Sequence, residues 1–158
     1  VADNTGDGEC RKAEDTAGAY ELAAMNVSNG VDHIRGLLRR KVAPMNAWNI
    51  TSSGVLVAMA DVPPHLAAHF LAGVIAAAQL RLVEAGHDGV SVYPDLTPGV
   101  ELIRDLLDKG SSGLEAWTIA ANRLFASVEG RPGGVVLGEL ADLLAAGELL
   151  LAQADHTA

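Results

Sequence analysis

Two of the five histidines, His65 and His69, stand four residues apart, which puts both imidazoles on one face if the segment is a helix. Two rings at that spacing can bind one metal ion, with Asp61, His87 or Asp88 as a third ligand if the chain folds back. The residue after His65 is Leu66, not the glutamate that a zinc-protease helix carries as its base. His65, His69, Ala72, Ala76 and Gln79 also form a polar-or-small stripe that can simply meet solvent or another helix. The second reading is preferred, and no metal or other cofactor is expected.

Glu84, His87 and Asp88 make a second cluster. A carboxylate beside a histidine can orient the ring for proton transfer. These three, however, surround Gly86 and Gly89 in what reads as a turn, where such residue types serve the backbone. The hydroxyls of Thr51-Ser52-Ser53 lack the Gly-x-Ser-x-Gly elbow of a hydrolase, and there is no Gly-Lys-Ser/Thr phosphate loop. The single cysteine, Cys10, cannot form an internal disulfide and lies in a polar stretch. An enzyme built on His65 and His69, or on Glu84, His87 and Asp88, is therefore the last of three functional expectations.

Charge narrows the partners. The formal net charge is −9, whereas nucleic-acid binding needs cations to replace counterions. Gly110-Ser-Ser-Gly113 joins two helical segments in the manner of a helix-turn-helix, but the helix that follows has Arg123 as its sole base. Neither nucleic acid nor an anionic membrane is expected as a partner. Arg35, Arg39, Arg40 and Lys41 concentrate positive charge at one place, read as a solvated helix face able to dock an acidic group.

The elements that must position these residues centre on 64–85. This segment is apolar on nearly every face, so protein or lipid must surround it. Its uncharged run approaches the length of roughly 20 residues that spans a bilayer. His65, His69 and Gln79 interrupt that run and Pro63-Pro64 precedes it, so it is read as a buried core helix. Around it the spacing predicts helices over 15–27 and 30–42, parted by Ser28-Asn29-Gly30, with Asn29 capping the second.

Residues 44–61 admit two readings. Met45, Trp48, Val55, Met59 and Val62 fall on one stripe of a helix that opens at Pro44, while Trp-Asn-Ile-Thr-Ser-Ser-Gly forms helix poorly and would suit a short hairpin near 47–59. The helix is preferred. Residues 90–94 read as extended, a short strand. Thr97-Pro98 starts a helix to Lys109, with Thr97 as its cap, and further helices follow over 113–128 and 134–154. Residues 1–14 are polar and acidic and read as a disordered tail on a single domain, 15–158.

The expected fold is thus mainly α, a five- to six-helix bundle around 64–85. With no basic-then-apolar leader at its start, and with arginine outnumbering lysine, the chain reads as bacterial and cytoplasmic. The first functional expectation is a non-catalytic interaction module that self-associates as a homo-oligomer. Its basis is the leucine-rich last helix, with Leu137, Leu144 and Leu151 at the interface. The second is a small-molecule-binding domain with a pocket lined by Met45, Trp48, Met59, Phe70 and Trp117.

Overall fold

The computed structural model describes the backbone of residues 4–157 and the side chains of residues 15–154. Six helices run in order: α1 (Asn4–Arg39), α2 (Pro44–Met59), α3 (Pro64–Glu84), α4 (Thr97–Asp108), α5 (Gly113–Val128) and α6 (Gly133–Thr157). They form the expected all-helical bundle, and no strand occurs among the described residues. The acidic segment 1–14, expected as a disordered tail, lies outside the residues whose side chains are described.

α3 is the hub. Leu71, Val74, Ile75, Leu80 and Leu82 are almost fully buried, and so are its alanines from Ala76 to Ala78. It packs most extensively against α6 and α5, then α1 and α4. By length and composition α3 could cross a membrane, but 67% of its apolar window is buried by the chain's own helices. Small residues set the spacing. A methyl group at Gly147 of α6 would come 3.3 Å from Ala78 Cβ, which is already tight. α5 is docked by Trp117, whose Nε1 donates to the Gly73 carbonyl at 2.8 Å and whose ring meets Tyr20 of α1 edge-on.

Three expectations about local structure are corrected, and the choice over 44–61 is decided. The break at Ser28-Asn29-Gly30 does not occur, and Asn29 caps nothing, because α1 is continuous through it. Ala23, Val27, Val31 and Ile34 form one uninterrupted buried stripe across Gly30, and their burial outweighs the roughly 1 kcal/mol that glycine costs within a helix. Over 44–61 the preferred helix forms and the alternative hairpin does not; its buried residues are Ala47, Thr51 and Ser52, while Trp48, Val55 and Met59 of the expected stripe are half-buried against the core and Met45 is exposed. Residues 90–94 are not a strand. They belong to a loop tied by its own side chains, with Val90 N–H donating to Asp88 and Tyr93 N–H to Ser91.

That loop leads into α4. Thr97 does not cap it: the N-cap is Leu96, which makes no side-chain bond, and Asp95 Oδ1 accepts from the Thr97 N–H at 3.0 Å and the Thr97 hydroxyl at 2.6 Å. Gly89 seats the loop. Its φ is 81°, and a methyl group there would lie 2.8 Å from Val100 Cγ2 and 3.1 Å from the Leu96 carbonyl carbon. Gly86 has a similar φ of 75° but open space around it. The two therefore separate backbone strain from crowding. Gly86→Ala should cost about 1–2 kcal/mol, the left-handed penalty alone. Gly89→Ala should cost about 1–3 kcal/mol more, because the methyl group also has to displace backbone. Urea unfolding midpoints of the two variants check this, and equal losses would show that crowding at Gly89 is relieved freely.

Candidate functional site

The most distinctive polar feature centres on a residue that no sequence signal singled out, Glu148. α2 leans onto α6, held by Trp48 Nε1 donating to the Asp142 carbonyl at 3.1 Å and Ser52 Oγ donating to Asp142 Oδ1 at 2.6 Å. It touches α1 much more sparingly. A cleft of about 330 Å³ remains between α1 and α2. α2 lines it with Ile50, Thr51, Gly54, Val55, Ala58 and Met59. α3 supplies Phe70, Leu71 and Val74 at its base, and α6 supplies Leu144 and Glu148. Asn26, Asn29, Gly30 and His33 of α1 form the other wall. The exposed side chains of Asn29, His33 and Ile50 mark its solvent mouth.

Glu148 is the chemical centre of this cleft. It is 3% exposed, and its Oε2 has no hydrogen-bond partner. The Thr51 hydroxyl, lining the same cleft, is likewise buried without a partner. A buried polar atom without a partner costs on the order of 1–3 kcal/mol, so two in one cleft call for a reason. Gly30 makes room for the carboxyl, since a methyl group there would overlap it. Among the described residues no lysine or arginine lines the cleft. Burial therefore pushes the Glu148 carboxyl up to about 8, and the group is mostly protonated at neutral pH.

The residues singled out by sequence are scattered. Of the expected pocket residues, Met59 and Phe70 line the cleft. Trp48 stacks on Tyr93 with ring centroids 5.0 Å apart, Trp117 serves α5 docking, and Met45 faces solvent. Each indole N–H is committed to a backbone carbonyl, which fixes the tryptophans as structural anchors. His65 and His69 are exposed and both pack edge-on against Phe125 of α5. No group of three or more His, Cys, Asp or Glu side chains placed to hold a metal occurs among the described residues.

His87 Nδ1 accepts from the Gly89 N–H at 2.9 Å, while Asp88 lies 3.6 Å away and Glu84 is exposed, so this trio shapes a turn. Leu144 and Leu151 are buried within the chain's own core and Leu137 is half-buried against it. The surplus leucines of α6 thus have an intramolecular use.

Sequence reasoning passed over Glu148. The available signal is a lone carboxylate within the apolar run from Leu143 to Ala152, with no base three or four residues away on its own helix. Comparisons with protein-family models, with curated proteins and with solved structures find no match to this chain.

The raised Glu148 carboxyl fixes a sign for pH dependence. In the unfolded chain the group ionises near 4.5, whereas in the folded protein it holds its proton to about 8. Its neutral form favours folding fully below pH 4.5, and that contribution is lost as pH rises toward 8. Glu148→Gln removes the titration while keeping the shape. The variant and the parent protein should match in stability near pH 4, below the unfolded-state value. By pH 8 the variant should be more stable, by roughly 1–3 kcal/mol. Parallel urea titrations across this range test it, and a constant difference would show that the carboxyl finds compensation when ionised.

Proposed function

We propose that the chain is a small-molecule-binding helical domain whose site is the α1–α2 cleft. One observation carries this reading: the unpartnered Glu148 Oε2 and Thr51 Oγ1, both buried, belong to one apolar cleft that opens to solvent. Ligand sites share this character, with mostly apolar walls and a few convergent polar groups, and about 330 Å³ is at the small end of their range. The walls would supply affinity by excluding water, and the carboxyl and hydroxyl would set orientation. The clustered groups include no activated nucleophile, so the reading is binding rather than turnover.

A second reading, the interaction module, is favoured by a different observation. Leu22 and Met25 on α1 are 48% and 55% exposed, and Val57 on α2 is 76% exposed. With Leu144 and Leu151 internal, self-association would use these outer faces of α1 and α2 in place of α6. Light scattering of the intact protein across a concentration range addresses that reading directly.

Binding in the cleft is tested by occlusion. A methyl group at Gly54 would have no atom within 4 Å, so Gly54→Leu can fill the cleft from α2 without disturbing the core. A panel of small apolar molecules, neutral, basic and acidic, should include members that raise Tm of the parent protein. A ligand at a hundred times its Kd adds about 2.7 kcal/mol. Those shifts should vanish in Gly54→Leu. Shifts of equal size in both proteins would sink the reading, because the binding would then lie elsewhere.

A further inference from the structure

We infer that the ligand of the α1–α2 cleft is an organic cation, an apolar molecule bearing one protonated amine that pairs with the Glu148 carboxylate. This rests on the cleft being a binding site and adds the chemistry of what enters it. Several observations converge. Glu148 lines the cleft with its side chain buried, and its Oε2, against Gly30 of α1, has no hydrogen-bond partner. An ammonium entering the cleft would have the Glu148 carboxyl as its acceptor, and the Thr51 hydroxyl is a further unpartnered acceptor among the same lining residues. Phe70 adds an aromatic wall of the kind that attracts cations.

Charge decides between a cation and a neutral donor. Among the described residues lining the cleft, α1 contributes His33 as its titratable group, α2 and α3 contribute none, and α6 contributes Glu148 itself. Among the described residues no lysine or arginine of the lining competes for the carboxylate, and none is there to pair with an anionic ligand. The whole chain, at −9, also favours the approach of cations.

Binding carries a proton balance. At neutral pH the free carboxyl holds its proton. An aliphatic amine, like a lysine side chain, is protonated until roughly pH 10. The ammonium stabilises the carboxylate, so the Glu148 proton passes to solvent while the amine keeps its own. One cation is taken up and one proton is released, and no bond other than the carboxyl O–H is broken.

The experiment compares three probes of one shape: phenethylamine, phenethyl alcohol and phenylpropionate. Calorimetry with the intact protein and with Glu148→Gln reads the affinities. Phenethylamine should bind the parent protein about tenfold or more tightly than the alcohol, with phenylpropionate weakest. Glu148→Gln should abolish that preference and leave the alcohol within about twofold. Titrations at pH 7 in buffers of different ionisation enthalpy should report release of close to one proton for the amine and none for the alcohol.

The amine affinity should also climb from pH 6 to about 8 and then level off. His33→Asn is the control, because His33 faces the same cleft. The climb above pH 7 must survive in it, and its disappearance would overturn the assignment to Glu148. Equal binding of amine and alcohol in both proteins, or a preference for phenylpropionate, would overturn the cation inference and keep the cleft as a binding site. If none of the three probes binds the parent protein at millimolar concentration, both the inference and the cleft reading fall.

Discussion

The structure turns on the need to cover α3 from every side. A helix apolar on nearly every face offers little that water can solvate, so its neighbours must cover most of it. α6 and α5 take the largest shares, with α1 and α4 completing the sheath. Alanine and glycine make this possible. Ala76, Ala77 and Ala78 are buried almost completely, and Gly147 of α6 sits close to Ala78, so the helices meet near backbone distance. Where aliphatic contact alone leaves a helix free to slide, a directional bond locks it, as Trp117 does on the Gly73 carbonyl.

Covering α3 also constrains α2, which is tethered instead to α6 through the two bonds to Asp142. Its stance opens the cleft toward α1. The same geometry explains the corrected reading of Gly30. A glycine inside a long helix reads as a break when only local propensity is considered. Here the helix continues, and the absent side chain admits the Glu148 carboxyl. A carboxyl placed in apolar surroundings works against folding at neutral pH, and departures from local consistency of this kind concentrate at functional sites.

The contrast between the tryptophans and Glu148 shows how residue type can mislead. Large aromatics invite a pocket reading, yet Trp48 and Trp117 anchor helices through their indole N–H groups. His65 and His69 do share a helix face, as their spacing implies, but that face leans on Phe125. The leucines of α6, too many for one stripe, are absorbed because α3, α2 and α1 all pack on it. Abundance of an apolar residue type measures how much of a helix is covered, not by what.

The sequence by itself determined the helical class, the central helix beginning at Pro64, and the helix starts at Pro44, at Thr97-Pro98 and at Gly113. These depend on proline, glycine and apolar periodicity, which act within a few residues. It also carried the continuous stripe of Ala23, Val27, Val31 and Ile34, although Gly30 obscured it. The tertiary structure decided what lies opposite each face. Glu148 on α6, Gly30 on α1 and Thr51 on α2 are far apart in the chain, and no local pattern links them. They meet because three helices are oriented by packing on α3 and by the clamp at Asp142. Burial, and with it the raised carboxyl, belongs to that assembled environment, since the cost of a charge is set by its surroundings and not by its sequence neighbours.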